Sequence, residues 1–556
     1  MLIKMVGRWG RLLAAIIFLI FISQPVLVGV NSYPHSKGYI FGASYMQNGK
    51  TLYVGGNGPN NYTSIQDAIN AANDGDTIIV FYNHYYENIT IDKAVHLIGV
   101  ERDGKKPVVD GGESEFTINI VADNCTIKNF VITMNDSITV KISSSFNLIE
   151  NCYLLNLPKE ENGGWTCGYA LMLIHSHHTR IFNSTIESKG GCGIAIKMYR
   201  SAENIISNNM ISGGPDYEAL WVIESPNNSF YSNRIDGIEC ESSNGNFFRN
   251  NVFTSCVRIH GSKNNVFENN RFRSMVLYYT VNLTLRNNIF NGSLDINGDK
   301  LIYYNTHVIE NNTKYLKNGP KILYYKNKPN IIISGEGNLG ELIVVNCSNS
   351  IIRGVEIRDS SIPILVMYSD NTLIHDCSIS YKGKDVGYGI IVGHSKGCVI
   401  KNNNISKLKE GILVFSSSNT KIIKNHIEGA KWGIVIARSL HTTVKRNKLR
   451  GNSCGIYLYL DLYTIIKRND IRNNFDGVEM ENTLINIVKR NNFIKNSQDT
   501  IVYESFINIF FRNHWSRWIV PLPKPILCIL LSIPWIIVIY YVIFDFCPRL
   551  IPYLII

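Results

Sequence analysis

Residues 433–449 read Gly-Ile-Val-Ile-Ala-Arg-Ser-Leu-His-Thr-Thr-Val-Lys-Arg-Asn-Lys-Leu. Set out in rows of 22, the chain around this stretch repeats by residue type: glycines at Gly389, Gly411, Gly433, Gly455 and Gly477, asparagines at Asn403, Asn425, Asn447, Asn469, Asn491 and Asn513. A period near 22 is too short for a helix pair or a propeller blade, and the β-branched alternation between the columns reads as strand. The leucine spacing of a leucine-rich repeat is missing. One row per coil fits: an all-β, single-stranded right-handed parallel β-helix with coils of about 22 residues, stacked at roughly 4.8 Å. Identical side chains then lie above one another. A buried amide is costly alone, but in a stack it donates to one neighbouring coil and accepts from the other. The glycine column marks a corner that needs conformational freedom or close backbone approach.

The 556 residues are 45% hydrophobic and carry a formal charge of +11. A solenoid of that length needs no division into globular domains, since each coil contacts only its neighbours. The positive charge is not gathered into the runs of a nucleic-acid-binding arm, so no nucleic-acid partner is expected. Residues 1–30 read as a signal peptide or signal anchor: Lys4, Arg8 and Arg11 precede the apolar run Leu12 to Ile22. Asn-x-Ser/Thr triplets at Asn61, Asn88, Asn135, Asn227, Asn282, Asn291 and Asn311 suit an exported, glycosylated chain, although an Asn-rich repeat produces such triplets by chance. No Cys-x-x-Cys pair occurs among the 12 cysteines; Cys167 and Cys192 are one coil apart and could stack as a disulfide or as two thiols. At the far end, 516–556 is apolar. Its run 526–544 has the length of a transmembrane helix, and its Ile, Val and Tyr content equally suits a strand that caps the solenoid.

Between the ends, 31–58 is a polar lead-in. Residues 59–294 form a first β-helix run, opened by a short capping helix that Thr63 or Ser64 starts and whose Ile65, Ala68, Ile69 and Ala72 share a face. Residues 295–345 break the rhythm as an irregular insertion, and 346–515 are the second run. In the first run Gly168, Gly193 and Glu218 are 25 apart, as are Asn183, Asn208 and Asn233; Asn250, Asn269 and Asn287 continue the asparagine column at shorter spacing. That register puts Met172, Lys197 and Val222 on one outward column, Ile174, Tyr199 and Glu224 on the next, and His175, Arg200 and Ser225 at the turn.

The start Ser64-Ile65-Gln66…Gly75-Asp76-Thr77-Ile78, the strand Glu87-Asn88-Ile89-Thr90-Ile91-Asp92-Lys93, the step Val109-Asp110-Gly111 and the closing Arg512-Asn513-His514-Trp515 resemble the pectin-lyase-like β-helix superfamily. Within it they are similar to archaeal NosD-like proteins, the carbohydrate-binding and sugar-hydrolase (CASH) domains. The resemblance covers roughly Thr51 to Trp515 and implies fold more than activity.

Three constellations carry chemistry. His175-Ser176-His177-His178, beside Met172, has donors that suit copper, and the resemblance to NosD implies copper-site maturation; the alternative is an exposed polar turn. Second, superfamily enzymes act on acidic glycans. The pectinolytic hydrolases carry an Asp-Asp pair, absent here, and the lyases hold calcium on carboxylates beside a basic residue. Arg200, Glu224, His175, Asp216 and Glu218 are the candidate set for a polysaccharide lyase or glycoside hydrolase. Third, Lys445, Arg446, Lys467, Arg468, Lys489 and Arg490 stack as a basic stripe. Stacked like charges repel, so an acidic polysaccharide or envelope surface would complement them; the alternative is simple protection of a sheet edge. The outward residues Ile391, Leu413, Val435 and Tyr457 form an apolar column that the tail or a second copy would cover. These readings together describe an exported surface β-helix that binds carbohydrate or serves as an envelope or adhesion scaffold. Catalysis and copper binding are the alternatives.

Overall fold

The computed structural model describes residues 49–157, 160–161, 164–165, 168–215, 217–335, 339–382, 387–516, 524–532 and 537–546. The expected export segment 1–30, Cys167 and Asp216 lie outside them. The described chain is a parallel β-solenoid of about 20 coils with almost no helix. A coil of the second run has three short strands, such as Cys454–Tyr459, Ile465–Lys467 and Asp470–Arg472. Each pairs in parallel with its counterpart one row on, Ile456 with Val478, Ile466 with Val488 and Ile471 with Phe493. Alternation does the rest: Ile456, Leu458, Ile466 and Ile471 point into the core and are fully buried.

The asparagine column runs down this core. Asn447 Nδ2 donates to Asn469 Oδ1 at 3.0 Å and to Ile422 O at 2.9 Å, while its own Oδ1 accepts from Asn425 N at 2.9 Å and from Asn425 Nδ2 at 3.0 Å. Both donors and both acceptor positions of the amide are used. The same geometry repeats from Asn403 to Asn491, whose Nδ2 reaches Asn513. A hydroxyl column lies at another corner, where Ser395, Ser417 and Ser439 each accept from the backbone of the preceding coil. In the glycine column, a Cβ at Gly433 or Gly455 would sit under 3.0 Å from the next glycine's carbonyl oxygen. None of these glycines has positive φ, so close approach, not conformational freedom, requires them.

The first run has the same ladder: Asn233 stands in it as expected, and at the other coils it lies one residue after the expected place. Ser184, Asn209, Asn233, Asn251, Asn270, Asn288 and Asn312 face inward and are linked amide to backbone. Asn183, Asn208, Asn250, Asn269 and Asn287 are instead the left-handed turn residues just before them, with φ of 53–59°, and their side chains point out. A second correction follows from coil length. Lys197 pairs with Trp221, and Tyr199 with Ile223, because the chain between these coils is 24 residues long instead of 25. Trp221 therefore holds the outward place expected for Val222, Val222 is buried, and Glu224 follows His175 and Arg200 at the left-handed turn while Ser225 is buried.

A helix, Ile65–Ala71, starts the first run as its sequence predicts. Ser64 Oγ accepts from Asp67 N, and the Glu87 carboxylate accepts from Ile65 N, Gln66 N and Ser64 Oγ, so the free amides of the first turn are occupied. The strand Thr51–Val54, which lies in the lead-in, already pairs with Thr77–Val80.

Residues 295–345 hold the last strands of one stack and the first of another. Leu294–Asn297 and Val308–Glu310 end the first run's sheets, and Lys321–Lys326 begins the second run by pairing with Leu339–Val345. The inward residues Leu342, Val344, Ile364 and Val366 form the second run's own core. Their outward neighbours Ile343, Val345, Leu365, Met367 and Ile391 are buried in one cluster with Leu294 and Ile296 of the first run's last coil. The side of the second run thus closes the end of the first. Tyr368 Oη donates to Asp299 O at 3.0 Å across this joint, and Lys314 and Glu341 form a buried ion pair there at 2.8 Å. Ile391 and half-buried Leu413 are covered by the chain's own first run, which corrects the expectation that the tail or a second copy covers them. Farther along the column, Tyr457 is half-buried, its hydroxyl on Glu481.

Among the described residues no helix is long and apolar enough to cross a membrane. Of 526–544, where a transmembrane helix was one expectation, the described residues 526–532 and 537–544 are strand. Lys524–Ser532 and Ile537–Phe546 form an antiparallel hairpin that adds to the last coil through Val502–Cys528 and Phe510–Asp545.

Two outcomes follow. Asn447→Ala strands partners on both adjacent coils and lowers stability by about 3 kcal/mol or more, against almost nothing for Lys448→Ala on the surface, as read by denaturant melts. Asp461 occupies the hydroxyl column between Ser439 and Thr483, and burial pushes its carboxyl up to about 7. Because the folded state holds that proton more tightly than the unfolded one, its stabilising share is complete below about pH 4 and lost as pH rises through 7, on the order of 4 kcal/mol. Asp461→Asn removes this loss, so the variant's advantage in melting temperature grows from pH 4.5 to 7.5.

Candidate functional site

The basic stripe is built by two adjacent columns at one corner of the second run. Lys445, Lys467 and Lys489 end the strands Thr443–Lys445, Ile465–Lys467 and Ile487–Lys489 and lie in register with one another. Lys424, Arg446, Arg468, Arg490 and Arg512 follow at the left-handed turn, φ 54–57°, which directs them outward immediately before each ladder asparagine. Lys445, Lys467, Arg468, Lys489, Arg490 and Phe511 line a hollow of about 360 Å³. Partial burial, and then the neighbouring Lys445, Lys489 and Arg468, hold the Lys467 ammonium below its ordinary range. No carboxylate pairs with any of the six predicted cations among the described residues. At the coil spacing each like-charge neighbour costs about 1 kcal/mol even in water-like surroundings.

The first run carries a second charged face. Its outward column continues Met172, Lys197, Trp221, Glu239, Arg258 and Val276. The Lys197 ammonium lies between two rings, 5.1 Å from Tyr169 and 5.6 Å from Trp221. Arg258 pairs with Glu218, whose side chain is largely buried. Burial, and then Glu241 beside it, push the Glu239 carboxyl up to about 7. Of the predicted catalytic set, Arg200 and Glu224 meet at 2.7 Å as an exposed pair in consecutive turns, His175 lies one turn before Arg200 with its ring edge toward Tyr199, and Glu218 is engaged elsewhere with Arg258. Among the described residues of the set, only Arg200 and Glu224 touch. Glu239 was missed in the sequence because a lone outward glutamate carries no motif; only its half-burial beside Glu241 sets it apart.

The three histidines have separate partners: His177 Nδ1 accepts from Ala202 N, His178 stacks on Phe146 and contacts Glu203, and His175 lies edge-on to Tyr199. Among the described residues no three of His, Cys, Asp and Glu stand together as a metal-binding group. Cys192 is disulfide-bonded, and eight other described cysteines are free.

Residues 322–517 match the model of the family described as NosD, periplasmic copper-binding protein. No curated protein matches the chain. Among solved structures, the chain is similar to a DFA-IIIase from Arthrobacter chlorophenolicus A6 without its lid (10% identity, 67% of this chain and 94% of that one, TM-score 0.29). It is also similar to the PL6 family alginate lyase AlyGC (10% identity, 81% and 93%, TM-score 0.27) and to the pectin methylesterase from Aspergillus niger (13% identity, 48% and 88%, TM-score 0.23). Likenesses this distant say nothing of this chain's ligand. The chain is a parallel β-solenoid protein whose second run, residues 322–517, carries the NosD family match.

Proposed function

We propose that this is an exported, surface-displayed β-solenoid that binds acidic carbohydrate along the basic stripe of its second run. The observation that carries this reading is the ladder Lys445, Lys467, Lys489 with Arg446, Arg468, Arg490, stacked at strand spacing with no carboxylate paired to it among the described residues. Such a column costs stability in the free protein and is relieved by a polyanion with repeated charges. Protection of a sheet edge needs scattered charges, not two adjacent columns of one sign. The periplasmic description of the matched family fits export. The first run favours a second reading, action on the glycan, through Glu239: a carboxyl pushed up to about 7 can hold or release a proton near neutral pH.

Two measurements test the stripe. Its repulsion is screened by salt, so the melting temperature rises between 0.05 and 0.5 M NaCl, and Lys467→Gln reduces that rise. Polygalacturonate binds, dextran does not, and salt weakens the binding. Lys467→Glu with Arg468→Glu weakens it at least tenfold without lowering the melting temperature, since the reversal also relieves the repulsion. Equal binding of the neutral polymer, or no effect of the double change, would exclude the stripe as the site. Shortening of the bound polymer that Glu239→Gln abolishes would instead establish catalysis on the first run.

A further inference from the structure

Where the two runs meet, a cleft of about 800 Å³ opens between them, a volume suited to a small ligand. Its first-run wall carries Arg234, Arg271 and Arg273; its second-run wall carries Ser361 and Tyr381. Neither stack alone makes it. Arg234 and Arg271 stand two coils apart in one outward column with Val252 between them, and Arg273 is the next outward residue beyond the buried Phe272. None of the three is in an ion pair among the described residues, and no Asp or Glu lines the cleft. Arg271 Nη2 donates at 3.4 Å to Asn291 Oδ1 on the rim.

Val252 and Arg271 also line an adjoining hollow of about 690 Å³. Its floor is the turn column Asn250, Asn269, Asn287 and Asn311, the outward asparagines of the first run, and Lys317 stands at its edge. The trough thus joins two kinds of recognition. Guanidinium forks match planar or tetrahedral acid groups, and a row of exposed side-chain amides offers paired donors and acceptors to a chain of hydroxyls. A simple anion would use only the first.

We propose that this trough is a second ligand site, taking a short anionic oligosaccharide whose acid groups lie on Arg234, Arg271 and Arg273 and whose sugar hydroxyls lie along the asparagine column. It is separate from the basic stripe and does not depend on it.

The test is calorimetric titration of the full chain, produced without N-glycans because Asn291 and Asn311 each open an Asn-x-Ser/Thr triplet. The probes are trigalacturonate, a sulfated heparin-derived trisaccharide, neutral maltotriose and inorganic phosphate. One or both acidic trisaccharides bind, the tighter naming the acid group; maltotriose and phosphate bind at least tenfold more weakly. Arg271→Ala with Arg273→Ala, both exposed positions, reduces binding at least tenfold without lowering the melting temperature, and Arg271→Lys with Arg273→Lys reduces it several-fold by losing the fork. Lys467→Glu with Arg468→Glu leaves it unchanged, so failure here and failure of the stripe are told apart. The proposal is overturned if neither acidic trisaccharide binds, if phosphate or maltotriose binds as tightly, if the arginine changes have no effect, or if the native protein carries a glycan on Asn291 or Asn311 that fills the trough.

Discussion

A carboxamide buried between two coils can satisfy all four of its hydrogen-bonding positions only if an identical group lies above it and another below. That requirement fixes much of this molecule. It sets the register at this corner, because a coil that gained or lost a residue next to Asn447 would shift the amide out of line with Asn425 and Asn469. It also sets the turn, because the inward asparagine must follow a residue with positive φ. That preceding position points to solvent and is filled by Asn402, Lys424, Arg446, Arg468, Arg490 and Arg512. Buried ladder and exposed stripe are therefore one construction: each inward amide brings an outward side chain one residue earlier. In the second run that side chain is mostly a cation; in the first it is mostly an asparagine.

The same dependence explains what the sequence could and could not reveal. In the second run, Lys-Asn and Arg-Asn pairs leave no doubt about which residue is inside, and strict 22-residue spacing makes the column visible by eye. In the first run the pairs are Asn208-Asn209, Asn250-Asn251, Asn269-Asn270 and Asn287-Asn288. Either member can satisfy the pattern, and coil lengths vary, so the expected column falls on the first member where the structure buries the second. Only the backbone, left-handed at the first of each pair, decides. The error had a consequence, since the misplaced asparagines are the ones that floor the trough. The one-residue contraction before Trp221 hid the lysine–aromatic face for a similar reason.

The joint was out of reach for a different reason. Nothing local in 295–345 states that one stack ends and another begins, because the end of the first run is closed by residues up to about a hundred positions away, Ile343 through Ile391. What was legible was the symptom, an apolar outward column that no free solenoid should expose. At Ile391 and Leu413 its cover is internal. The joint turns a rod into two walls, and a hollow of about 800 Å³ lies between them.

The account stands on coils stacked in register, and distances between spin labels on the exposed turn column measure that most directly. Labels at 402 and 490, 402 and 512, and 376 and 512 are separated by four, five and six coils. Dipolar spectroscopy is predicted to give backbone separations of about 19, 24 and 29 Å, rising by roughly 4.8 Å for each coil added. Separations that fail to grow with the number of repeats, or that grow by a different step, would contradict the ladder and the sites derived from it.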